Sequence, residues 1–239
     1  MNAEAHPTQV DILAIGAHPD DVELCCGGTI ARLVQLGYRV GLVEMTRGEL
    51  GTRGTVEQRS IEASTAASIL GVHERENLGI PDGDIQLVSE NRLLLVELIR
   101  KRRPKLIITH SKVGHPDHWQ THELVNQAIY HAGLAKLEPD LPRHRTKTIA
   151  YWIQYHQKQI PDVVVDISEA IDIKEKAIRA YGSQLHNPNS TDPDTVLTHR
   201  DFLDRVRAHN RFMGNLANCP FGEGFLLSRS VRVGDLAAC

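Results

Sequence analysis

Val10 to Ala17, VDILAIGA, is a nearly continuous apolar run that stops abruptly at His18-Pro19-Asp20-Asp21. A run without polar alternation reads as a strand buried on both faces, the condition of a parallel sheet covered by helices. From Gly27 the spacing turns helical, with Ile30, Leu33 and Val34 on one face and Gly37 as its stop. Arg39 to Met45 reads as a second strand. The order then repeats: a helix over 56–70, a short strand near 77–79, a helix over 87–103, a strand over 105–109 and a helix near 118–134. Further strands are expected at 148–155 and 163–167, and helices at 169–181 and 199–217. The pattern predicts a Rossmann-like, doubly wound α/β fold, a mostly parallel sheet with helices on both faces.

A chain of 239 residues, 41% hydrophobic and 24% charged, has material for one such core, and no internal boundary divides it. One domain over 1–239 is expected, with its core at about 10–135. The polar, turn-rich stretch 182–193, GSQLHNPNSTDP, reads as a long loop able to cover the crevice. A formal charge of −3 provides no basic field for nucleic acid, and no run is long and uncharged enough to cross a bilayer. Cys25, Cys26, Cys219 and Cys239 show no metal-knuckle spacing and read as reduced thiols, so the cytoplasm is the expected location.

Ligands of doubly wound sheets bind beyond the carboxyl ends of the strands, so the loops at 18–28, 46–55 and 110–118 should converge on one crevice. His18-Pro19-Asp20-Asp21 places an imidazole and two adjacent carboxylates where the first buried strand ends. Two carboxylates side by side call for a cation or a shared proton. The plain alternative is a solvated turn with a capping Asp. Gly114-His115-Pro116-Asp117-His118 follows another strand to the same sheet edge. Taken alone it could be a histidine-rich surface loop.

Together the two segments offer a mixed nitrogen and oxygen set that leaves a coordination position open, the pattern of a catalytic metal. His18, Asp21 and His118 are the expected ligands. Asp20 is then free to take a proton from the attacking water, which makes it the expected general base. His115 is expected across the metal, stabilising the oxyanion or protonating the leaving amine, with Asp117 accepting the other N–H of its ring. Trp119, opening a helix, reads as core. His6, His73, His131, His144 and His209 are expected in solvent or in local hydrogen bonds.

Ala17-His18-Pro19-Asp20-Asp21 with Gly27-Gly28, followed by Gly114-His115-Pro116-Asp117-His118, resembles the LmbE/PIG-L family of zinc-dependent N-deacetylases. The resemblance implies the same ligands, His18, Asp21 and His118, and the same base, Asp20. It implies Zn²⁺ as cofactor, although two histidines and a carboxylate also suit Fe²⁺. A homo-oligomer, trimer or hexamer, and a small amino-sugar substrate are implied as well. Gly48-Glu49-Leu50-Gly51-Thr52-Arg53-Gly54, Asn77-Leu78-Gly79 and Pro81-Asp82-Gly83 are similar to bacillithiol-pathway deacetylases acting on N-acetylglucosaminyl malate.

Arg53, or Arg59 in its place, would meet the malate carboxylates as a planar fork, unless Arg53 pairs with Glu49. Glu49 and Asp82, the latter through a sugar hydroxyl, and His186 as a lid residue complete the expected substrate-binding set. Diacetylchitobiose or an inositol-linked N-acetylglucosamine is the alternative substrate. A receiver-like signalling domain also carries an acidic pair after its first strand, but no phosphoacceptor aspartate ends a middle strand here. A nicotinamide dehydrogenase would need a glycine-rich turn where Gly16-Ala17-His18 stands.

Overall fold

The computed structural model describes residues 9–137 and 140–230; His6 and Cys239 lie outside them. The strands are β1 (Ile12–Gly16), β2 (Val40–Glu44), β3 (Glu74–Asn77), β4 (Leu106–His110), β5 (Thr148–Trp152), β6 (Val163–Asp166) and β7 (Gly222–Leu227). The helices are α1 (Asp21–Gln35), α2 (Val56–Leu70), α3 (Ser89–Arg102), α4 (Pro116–Ala132), α5 (Ile171–Arg179) and α6 (Phe202–Leu216). All seven strands join one sheet in the order β3-β2-β1-β4-β5-β7-β6. The first five in that order are parallel, and β7 runs antiparallel to both β5 and β6. The doubly wound expectation holds.

Alternation along β1 divides the core between the two faces of the sheet. Ile12 and Ala14 pack with Val40, Leu42 and Ile108 under α1, α2 and α5. Leu13 and Ile15 pack with Val43, Met45 and Ile107 under α3 and α4. The chain leaves β1 toward β2 and β3 on one side and returns through β4 and β5 on the other, so the order reverses between β1 and β4. The loops after those two strands, which hold both histidine-aspartate segments, therefore flank one crevice.

Three elements depart from the sequence reading. The first helix begins at Asp21, not Gly27, and is broken at Cys26, whose φ of −143° and ψ of 19° are not helical. The helical periodicity becomes visible only after that kink. The restarted segment is capped from afar: Glu223 of β7 accepts from the N–H of Gly28 at 3.1 Å and of Thr29 at 2.7 Å. Lys174 of α5 closes the arrangement, its Nζ lying 2.6 Å from Glu223 Oε1. Strand β3 falls at Glu74–Asn77, an edge strand of charged residues with no apolar signal.

Strand β7 has no counterpart in the sequence reading. Its Gly222 and Gly224 suggest a loop, yet a Cβ at Gly222 would stand 2.5 Å from Val164 Cγ1, and one at Gly224 2.8 Å from Met213 Sδ. The glycines mark close packing against β6 and α6. Cys25, Cys26 and Cys219 are free thiols. Among the described residues, no helix is long and apolar enough to cross a membrane.

Candidate active site and metal centre

His18 follows β1 directly, and α1 turns back so tightly that a Cβ on Gly16 would approach Asp21 Cβ at 3.0 Å. Asp21 Oδ2 accepts from the His18 backbone N–H at 2.8 Å and lies 3.6 Å from His18 Nδ1. Its other oxygen is 3.3 Å from His118 Nε2. Burial pushes the Asp21 pKa up, but the neighbouring imidazoles, His118 foremost, hold the carboxyl well below its ordinary range. His18, Asp21 and His118 offer ligand atoms all within 4.8 Å of one another, so the three residues expected from sequence are brought together.

The outer contacts fit a divalent ion at that position. His18 Nε2 faces Asp82 Oδ1 at 2.9 Å and Asp117 Oδ2 at 3.2 Å. An ion held at Nδ1, on the side of Asp21, would leave the ring proton on Nε2 between these two carboxylates; a carboxylate behind a metal-binding imidazole sets its tautomer in this way. The Gln154 side-chain amide lies 3.2 Å from His118 Nδ1 and orients that ring.

Two expectations change as a result. Asp82 is engaged within the site as well: it faces His18 and accepts from Leu50 N–H, and the His18 contact, against partial burial, lowers its pKa to about 2. Asp117 does not accept from the His115 ring, because its carboxylate faces His18 and takes the Gly83 N–H at 2.9 Å. It is the Asp117 backbone N–H that donates to His115 Nδ1, making His115 the cap of α4.

Asp20 is buried at the start of α1 with a φ of 110°, a conformation that costs strain in a residue with a Cβ. Arg59 of α2 holds it: Nη2 donates to Pro19 O at 2.5 Å and to Asp20 Oδ2 at 3.2 Å, and Nη1 to Gly48 O at 3.3 Å. Burial raises the Asp20 pKa to about 7 against the pull of Arg59. Arg59 is thus tied to Asp20 and the loop backbone.

Arg53 is buried, its Nε without a hydrogen-bond partner among the described residues and 4.0 Å from Asp192 Oδ2. It lines a polar cavity of about 600 Å³ between the 52–55 turn and residues of the 182–192 loop. Glu49 does not pair with it; Glu49 accepts from the backbone N–H of Arg47 and Asp82. His186 is exposed. Trp119, expected in the core, is 49% exposed.

Two site residues escape the sequence reading. His110 ends β4, where Nε2 accepts from Ala17 N–H at 3.0 Å and its ring stacks on His118 at 4.0 Å between centroids. Burial lowers its pKa to about 4, so it stands as a neutral ring behind Asp21. A histidine closing an apolar strand at the switch point is the signal that could have found it. Gln154 offers none.

The sequence profile described as GlcNAc-PI de-N-acetylase (PIG-L) matches residues 13–129. Diacetylchitobiose deacetylase from Thermococcus kodakarensis is 32% identical over 190 residues, covering 73% of this chain and 70% of that protein. The 1D-myo-inositol 2-acetamido-2-deoxy-alpha-D-glucopyranoside deacetylase of Mycobacterium sp. (strain JLS) is 27% identical, over 73% of this chain and 74% of its own. The crystal structure of the conserved protein TT1542 from Thermus thermophilus superposes with a TM-score of 0.85 at 32% identity, over 95% of this chain and 99% of that one. With both motif segments at one sheet edge and relatives matching over most of their length, this chain belongs to the PIG-L, LmbE-like family of deacetylases.

Proposed function

We propose that the chain hydrolyses the acetamide of an N-acetylglucosamine conjugate, with His18, Asp21 and His118 holding a divalent ion, zinc first and ferrous iron as the alternative. When bound, such an ion polarises the acetyl carbonyl and makes a neighbouring water acidic enough to attack at neutral pH. Asp20 accepts the proton of that water, and Arg59 fixes its carboxylate by donating to Oδ2. His115 presents Nε2 to the carbonyl oxygen or the departing amine, since Nδ1 already faces the Asp117 N–H. Asp117 and Asp82 act on His18, holding its tautomer. The observation that carries this reading is the convergence of His18, Asp21 and His118, with His115 against His18, from two segments as much as 100 residues apart in sequence.

For the aglycone, malate is the first choice. It is supported by the likeness of the 48–54, 77–79 and 81–83 segments and by the Arg53 guanidinium lining the cavity, its Nε without a hydrogen bond among the described residues. A second reading has its own support: Glu62 and Asp192 line the same cavity, and acceptors beside a guanidinium suit neighbouring hydroxyls, as in a second sugar or an inositol. An amine-release assay over N-acetylglucosamine conjugates with malate, a second sugar, inositol or no aglycone tests both levels. The malate conjugate should show the highest kcat/KM. Preference for a neutral conjugate would overturn the malate choice, and absence of amine from every conjugate would overturn the reaction.

A further inference from the structure

The turn that carries Arg53 and the loop across the cavity from it meet through two unlike contacts. At its start the loop is fastened. Glu62 of α2 accepts from the Ser183 N–H and hydroxyl, both at 2.7 Å, and Gln184 Nε2 donates to Arg53 O at 2.7 Å. The fit there is close, since a Cβ at Gly54, whose φ is +73°, would stand 2.7 Å from Ser183 Oγ.

Further along, the loop is bonded only to itself. Among the described residues, every hydrogen bond of 187–192 stays within that stretch: Asn187 O accepts from Ser190 N–H, Asn187 Oδ1 from Asn189 N–H, and the Ser190 hydroxyl donates to Asp192 Oδ2 while accepting from Asp192 N–H. What this knot presents across the cavity is a charge, Asp192 Oδ2 at 4.0 Å from Arg53 Nε. That separation is too long for a hydrogen bond, and Nε has no other partner among the described residues. The two sides are also unequal, with the Arg53 side chain 3% exposed and that of Asp192 56%. A buried guanidinium needs a well-made anion contact, whereas a half-exposed carboxylate loses little by turning to water.

We infer that Asp192 is a specificity-determining residue: its carboxylate keeps the place of an acidic aglycone at Arg53, and the substrate's carboxylate enters the cavity by exchanging with it. This rests on the malate reading. Because the hydrogen bonds of 187–192 are internal, the knot can shift as a unit without breaking any of them. The freed guanidinium then takes the incoming carboxylate as a fork, through parallel N–H···O bonds that the Asp192 contact does not make. A neutral conjugate brings no anion to replace Asp192, so the contact stays. Discrimination between acidic and neutral conjugates is thus set by how firmly Asp192 holds to Arg53.

Isothermal titration of L-malate into the full chain reads the exchange without turnover. Asp192→Asn removes the charge at an exposed position and keeps an oxygen for the Ser190 hydroxyl. It should bind malate roughly two- to fivefold tighter than wild type, the usual worth of an exposed ion pair. Equal or weaker binding by Asp192→Asn, or no binding by either protein, would overturn the proposal. In an Arg53→Gln background the gain should vanish, and a gain that persists there also overturns it. In the amine-release assay, KM for the malate conjugate should fall by the same factor, with no fall for N-acetylglucosamine lacking an aglycone. A rise in KM for neutral conjugates would instead make Asp192 an acceptor for hydroxyls and end the exchange. Amine released from the malate conjugate with KM unchanged in Asp192→Asn would leave the deacetylase reading standing and defeat this one; tighter malate binding with no amine from any conjugate would do the reverse.

Discussion

Two groups of buried charge lie along α1, one at its kink and one at its start, and they are built on opposite plans. Lys174 and Glu223, each with its side chain 1% exposed, form a closed pair: the carboxylate takes one ammonium and two backbone N–H groups at the α1 kink. The group at the start of α1 is open. Asp20, Asp21, Asp82 and Asp117 converge there on Arg59 and a set of imidazoles that are shared rather than matched. A buried charge that satisfies itself fixes a shape, whereas one left with excess carboxylate creates a demand for an ion. The first kind is structural, and the second is where chemistry is expected.

The largest effect should come from emptying the open group. His118→Ala removes one ligand, and the loss of metal forfeits several kcal/mol of charge stabilisation, on the order of 10⁴-fold in kcat/KM. Elemental analysis and the amine-release assay should fall together; full activity in a metal-free His118→Ala protein would dissolve the contrast between the two groups. Asp20→Asn comes next. The amide keeps the shape and leaves the ligands alone, so metal should stay at wild-type stoichiometry while kcat drops by roughly 10²–10⁴-fold. A near-normal kcat would remove Asp20 as the base.

The open group is legible in sequence because its parts sit where buried strands end. VDILAIGA marks β1, and the histidines and aspartates right after it and after the β4 run point to one crevice from their positions alone. Their pairing is not legible. Asp117 and Asp82 turn their carboxylates to the far edge of His18, and a turn residue's side-chain direction is decided by contacts absent from its own segment. The closed pair is invisible for a related reason. Glu223 lies on a glycine-flanked strand without apolar alternation, and its partners Gly28 and Thr29 are 195 and 194 residues away. Local periodicity reports core faces, and it is silent about polar groups satisfied across the whole chain.

The closed pair should respond in stability alone. Lys174→Met leaves Glu223 buried without its cation, a change that typically costs about 3–5 kcal/mol. Denaturant unfolding should show that loss, while kcat and bound metal per folded chain remain near wild type at low temperature. A loss of metal affinity in the folded variant would mean that the kink at Cys26 transmits the cap to Asp21, and the two groups would then be one system.

Arg59 gives the smallest and most discriminating effect. Its guanidinium serves Pro19 O, Gly48 O and Asp20 Oδ2 at once, which a single ammonium cannot reproduce. Arg59→Lys keeps the positive charge but loosens Asp20 from its strained αL position, so kcat should fall about tenfold, close to 1.4 kcal/mol, with KM and metal content unchanged. Were Arg59 instead the fork that meets a substrate carboxylate, KM for an acidic conjugate would rise and kcat would hold. The split between kcat and KM therefore separates an arginine that belongs to the charge network from one that faces the ligand. Of the two arginines expected to meet a substrate carboxylate, the hydrogen bonds tie Arg59 to Asp20 and the loop backbone, which is why the ligand-facing role is proposed for Arg53.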